Sequence, residues 1–300
     1  MTSGEKTPPP PQPAPAEPPG GRAAPPRSLG RTISRYALAA VTLGFLALFV
    51  GAIVAILVAD LASRFFRVDV LAGLFGSPHV LAAMKLSGMT SGITLVLVAV
   101  FCVPIGYALS RYRFPGHAVV NTIIDLPIVM PPLAIGVSLL VLFASPPGRW
   151  IGDRMNSIGW DRNAAAGIVL CQFLLSVPFA IRASKSAFDA VDRRLEELAL
   201  TLGCTRTRAF RTVALPMARG GILAGCVMAW ARAVGLYGPL MVFVGCVRGK
   251  SEVLPNTIYL EVSTGGIEVA LAATMVMIAL AGAALVAIHG LASGRRWWGL

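Results

Sequence analysis

Long stretches free of charge alternate with short charged ones along this chain, and that alternation predicts its architecture. Tyr36 to Ala59 and Ser87 to Ser110 carry no charge, and Ala118 to Ala144 is interrupted only by Asp125. Ala164 to Ile181, Gly220 to Val247 with Arg232 inside it, and Val269 to Ile288 complete the set. A helix that crosses a bilayer needs roughly 20 apolar residues. These runs are continuously apolar and lack the alternation of a barrel strand, so they predict helices. The expected fold is an all-α membrane protein with six transmembrane helices, spanning about 36-61, 87-110, 118-144, 164-182, 218-245 and 268-291.

The segments outside these spans differ in character. Residues 1-32 are dominated by proline, with four in succession from Pro8, and hold too little apolar surface to offset chain entropy. They read as a disordered cytoplasmic leader ahead of a transmembrane domain at 33-294, with 295-300 as a short tail. The first apolar run is longer than a signal peptide's core and follows this polar leader, so it is expected to remain as an uncleaved span.

Composition agrees with a lipid environment: 56% of residues are hydrophobic and 13% charged. The net charge of +12 changes the picture only through its placement. With a cytoplasmic N-terminus, seventeen Lys and Arg fall on the inner side and eight on the outer, with Arg232 left within a span. This follows the positive-inside rule, puts both termini in the cytoplasm, and removes nucleic acid as the expected partner. Five cysteines (Cys102, Cys171, Cys204, Cys226, Cys246) show no metal-binding spacing. No HExxH, GxSxG or paired carboxylates lie within a span, so no catalytic or metal residues are assigned. The segment Gly245 to Ser251 has the glycine of a phosphate-binding loop displaced by one position.

Two spans carry candidate pathway chemistry. Pro127, Pro131 and Pro132 must break or kink the third helix, and broken membrane helices usually line a cavity. Asp125 lies just before that break, and Arg232 sits within the fifth span. Each is costly in lipid, which leaves two readings: both line a pathway, or they pack internally, for instance as a pair.

The richest segment is the inner loop 183-217. Leu195, Leu198, Ala199 and Leu202 recur at helical spacing on one face, Asp192 can cap the helix start, and Gly203 can end it. A second amphipathic helix is expected from Thr205, with Phe210 and Val213 on one side, stopping before Pro216. The loop looks suited to seat in a groove on another protein.

Glu197-Leu198-Ala199, Gly203 after three further residues, and Val213-Ala214-Leu215-Pro216 after nine more resemble the signature loop of ABC importer permeases. The segments Thr90 to Gly116 and Asp125 to Phe143 are similar to spans two and three of the molybdate, tungstate and sulfate branch. Trp230 to Gly245 and Val253 to Leu260 follow the same branch, although Leu236-Tyr237-Gly238 stands where it commonly has Glu-Phe-Gly. The resemblance implies a coupling role toward a separate ATPase for Glu197, Leu198, Ala199, Gly203, Thr205, Phe210, Val213, Leu215 and Pro216. It further implies an extracytoplasmic solute-binding protein, a second permease copy, and a place in a bacterial inner membrane. ATP and Mg would sit on the partner ATPase, with no cofactor in this chain. Molybdate or tungstate is the expected cargo, with sulfate or another small solute as the alternative. An ATP-independent secondary transporter is the rival reading.

Overall fold

The computed structural model describes residues 41–52, 54–55, 78–157 and 165–292. The expected leader, the ends of the first span and the C-terminal tail lie outside these. The chain divides into two units, residues 1–60 and 61–300. In the first, α1 (Val41–Ala52) is an apolar helix with its large side chains exposed.

In the second unit every regular element among the described residues is helical. The first of them, α2 (Pro78–Arg111), runs 34 residues, about 51 Å at 1.5 Å per residue, well beyond the roughly 30 Å of a hydrocarbon core. It starts ahead of the expected residue 87 because one charge, Lys85, does not stop a helix. Its buried stripe is small and polar, including Ala83, Ser87, Thr90, Thr94, Cys102 and Gly106, whereas Met89, Val96 and Val100 face outward. Apolar residues gain little by leaving lipid, so small ones that permit close approach fill helix interfaces instead.

The expected third span is two helices, α3 (His117–Val129) and α4 (Pro132–Ala144), bent by 109° at the break. Pro131 is the N-cap of α4 and offers no N–H to continue the ladder of α3. Next, α5 (Pro146–Ser157) is a helix within a connection that the sequence left unassigned.

At the centre lies α6 (Ala165–Asp189), the most buried of the long helices, packed against α2 and against α9 (Leu215–Val234). Glycines make this possible. A Cβ added at Gly106 would lie 2.7 Å from the Ser184 Cβ, and one at Gly225 would lie 2.4 Å from the Ala183 Cβ. Around these contacts gather Val98, Leu109, Ile181, Phe188 and Ile222.

The expected stop before Pro216 and a fifth span starting at 218 are both corrected. Helix α8 (Arg206–Ala209) passes through a π turn, Phe210–Ala214, directly into α9. The wider π turn falls in the residues that precede Pro216, where an α ladder would meet the proline ring and its missing N–H. The same expected span ends early, at Val234. After Gly235–Tyr237 a short helix, α10 (Gly238–Phe243), packs on α4, where a Cβ at Gly136 would meet Pro239 Cα at 2.7 Å. Finally α11 (Leu254–Thr264), capped by Gly265 at φ 85°, leads to α12 (Ile267–Ala292).

The glycine contacts generate a prediction. Gly225→Ala should cost about 1–3 kcal/mol by overpacking, read as a lower thermal midpoint of the detergent-solubilised protein. Adding Ala183→Gly should restore most of the loss; no recovery would mean that the α6–α9 approach is not what limits stability.

Candidate functional site

The inner loop folds as its capping residues dictate. Helix α7 (Arg193–Thr201) starts where the Asp192 carboxylate accepts the Arg194 N–H at 3.0 Å. It ends in a Schellman turn: Gly203 N–H donates to Leu200 O and Cys204 N–H to Ala199 O, both at 3.0 Å. Gly203 holds φ 86°, and a Cβ there would meet nothing within 4 Å. The glycine is therefore required by backbone conformation alone. Thr205 then caps the next helix, its hydroxyl accepting from Arg208 N–H at 3.4 Å.

The orientation of α7 is the reverse of an ordinary surface helix. Leu195, Leu198 and Leu202 are 41%, 62% and 79% exposed, and Glu197 is exposed beside them. The buried face is polar. Glu196 accepts from Tyr107 Oη at 2.8 Å and from Arg111 Nε at 2.7 Å, with the Arg111 and Glu196 side chains only 8% and 12% exposed. Arg111 also donates to Val191 O at 2.9 Å, and Arg193 donates to Ser110 O. Ser110 in turn donates to Asp189 at 2.6 Å, which Lys185 also approaches at 2.6 Å.

Phe210 continues the anchorage from the second half of the loop. Its ring meets Tyr107 edge-on at 4.6 Å between centroids and lies 6.1 Å from Phe188. Leu215 packs on the same core and Val213 is half-buried, whereas Thr205 and Pro216 are exposed. A cavity of about 210 Å³ opens beneath the loop, lined by Tyr107, Arg111, Glu196, Glu197 and Arg206 among others.

Sequence reasoning singled out Glu197 and passed over Glu196, the residue that holds the loop. The usable signal was Tyr107 and Arg111, one turn apart at the end of a span, a basic and hydroxyl pair in want of an acid.

The pathway candidates separate. Asp125 on α3 pairs with Arg182 on α6 through both carboxylate oxygens, so the suggested pairing with Arg232 does not occur. Arg182 also donates to Asn121 Oδ1 and O, each at 3.1 Å. Arg182, expected as the last residue of the fourth span, lies well inside α6, which runs on to Asp189. Pro131 stands at the 109° break. Arg232, in the last turn of α9, lies over the Phe179 ring with Cζ 4.3 Å from its centroid, and its buried Nε has no acceptor. Among the described residues no group of three or more His, Cys, Asp or Glu could hold a metal ion.

Glu196→Ala should strand a buried guanidinium, a loss of about 3–5 kcal/mol where a buried pair is broken. Glu197→Gln, at an exposed position, should stay within about 0.5 kcal/mol of wild type. Thermal unfolding in detergent compares the two; equal effects would deny Glu196 its anchoring part.

Residues 102–296 match the family described as binding-protein-dependent transport system inner membrane component. A molybdate/tungstate transport system permease protein of Thermococcus kodakarensis is 38% identical over 58% of this chain and 65% of its own length. A probable molybdenum ABC transporter permease protein of Haloferax volcanii is 35% identical over 71% of this chain and 76% of its own. The molybdenum transport system permease protein of Escherichia coli is 34% identical, over 61% and 80%. A crystal structure of a bacterial alginate ABC transporter in complex with an alginate pentasaccharide-bound periplasmic protein shares the fold. It has a TM-score of 0.64 at 20% identity and covers 89% of this chain and 97% of the other. With an all-helical bundle, several apolar helices and a family match over most of its length, the chain belongs to the inner membrane components of binding-protein-dependent transport systems.

Proposed function

We propose that the chain is the permease subunit of an ABC importer for a small oxyanion, with molybdate or tungstate as first cargo and sulfate as second. Relatives at 34–38% identity named for molybdate, tungstate or molybdenum transport support the cargo; a sulfate permease relative at 29% supports the alternative. The chain makes and breaks no covalent bond. ATP is hydrolysed on a separate subunit.

The observation that carries the coupling role is the outward apolar face of α7. Three exposed leucines on a helix clamped from behind by Glu196 and Arg111 suit a groove on an ATPase. Leu198 and Ala199 would fill it, Glu197 would make a polar contact at its edge, and Gly203 sets the turn. Thr205, Phe210, Val213, Leu215 and Pro216 join this docking element to α9, so that ATPase closure would move the loop as a lever. On the outer side a solute-binding protein delivers the anion. The permease works as a homodimer with both termini in the cytoplasm, organised as a leader, a six-span domain and a short tail. The pathway runs by the helix breaks. Pro131 shapes one of them, Asp125 braces α3 against α6 through Arg182, and Arg232 supplies a cation.

The test is affinity purification with the native partners. Leu198→Asp should reduce the co-purifying ATPase at least about tenfold, the cost of placing a charge at the centre of an interface, while the permease stays folded. Tracer molybdate uptake by the wild-type complex should be competed by tungstate more strongly than by sulfate. An ATPase retained in full by Leu198→Asp would reject the docking face.

A further inference from the structure

Four cations of the bundle are matched by carboxylates, while Arg232 and the buried Glu252 are among the charges that have no such match among the described residues. Arg111 is matched by Glu196, Arg182 by Asp125, Lys185 by Asp189 and Arg248 by Glu261. Arg232 has no carboxylate and no hydrogen-bond acceptor among the described residues; its Nε is buried without a partner, and the contact that holds it is the Phe179 ring. A charge kept within a membrane-spanning helix without neutralisation is expensive, and aromatic support recovers only part of that cost.

The surroundings add donors. Gln172, Ser176 and Phe179 lie on one face of α6, at spacings of four and three residues. Gln172 accepts from Thr94 Oγ1 at 3.0 Å and donates to Ala233 O at 3.1 Å, fixing α9 beside this face. Ser176 between them is fully buried, and its hydroxyl has no partner. An arginine side chain on a helix leans toward the N-terminal turn, which carries the Arg232 guanidinium along α6 from the level of Gln172 to that of Phe179. An unmatched guanidinium and an idle hydroxyl share this seam, and both can donate.

We infer that Arg232, supported by Phe179 and assisted by Ser176, is the specificity-determining contact for the oxyanion during its passage, a role that rests on the oxyanion reading above. A guanidinium presents a planar fork that matches two oxygens of one anion. The contact has to be transient, so a charge without a full carboxylate cage suits it better than a saturated site.

The experiment uses the complete importer, with its ATPase and binding protein, in proteoliposomes, and measures labelled molybdate imported per ATP hydrolysed. Arg232→Met should lower that ratio about 10- to 100-fold, the loss of a charge-assisted contact. Arg232→Lys should keep part of the uptake but shift the preference between molybdate and sulfate, because an ammonium is a point charge without the fork. An unchanged ratio in a folded Arg232→Met complex overturns the inference, as does a parallel fall of uptake and ATP hydrolysis. Where Arg232→Met does not assemble, Arg232→Lys decides: unchanged uptake and unchanged preference overturn it. A wild-type complex that imports none of molybdate, tungstate or sulfate removes the oxyanion reading itself, and the inference with it.

Discussion

The buried pair of Glu196 and Arg111 is the contact on which the exposed apolar face of α7 depends. Helix α7 has nine residues, too few to be stable by itself in water. Burying its leucines against the bundle would stabilise it and at the same time erase the exposed apolar face proposed for docking. Turning the polar side inward resolves the conflict. Tyr107, Arg111 and the Val191 carbonyl form a polar socket at the end of α2, and Leu195, Leu198 and Leu202 stay free. A displacement of α7 is therefore transmitted to α2, and through the glycine contacts to α6 and α9.

Local signals were legible in the sequence. Charge-free runs located the long helices, Pro131 located the break between α3 and α4, and Asp192 and Gly203 marked the ends of α7. Each of these depends on residues within a turn or two of the feature. What escaped depends on distant partners. Glu196 and Glu197 are adjacent and chemically alike; only the arrival of Arg111, 85 positions away, distinguishes the anchor from the exposed residue. Arg182 and Asp125 meet across 57 positions, a pairing between two spans that no local pattern announces.

The early end of the fifth span has a different cause. Gly235 to Gly238 contains no internal proline, and its hydropathy continues that of α9, so a composition window reads one helix. The interruption comes from Pro239 at the start of α10 and from the close packing of α10 on Gly136, a tertiary fact. Conversely, Pro216 announced a helix end that a π turn absorbs. Proline restricts the ladder without specifying whether the chain stops, bends or widens, and packing decides among the three.

These features divide the bundle by stiffness. On the side that carries α7, glycines at 106, 221 and 225 bring α2, α6 and α9 to near backbone contact, and close-packed interfaces of this kind resist gradual deformation. The interruptions lie elsewhere, between α3 and α4 and between α9 and α10. They adjoin one another, since Gly238 at the start of α10 approaches Leu133 in the first turn of α4. Helix breaks are positions where backbone angles can change without rupturing a continuous ladder. On the proposed coupling role of α7, a stiff block that ends in two adjacent breaks would give a small displacement at α7 a route to a change in aperture. Arg232, in the last turn of α9 before its break, stands at the junction between the stiff block and the articulated part.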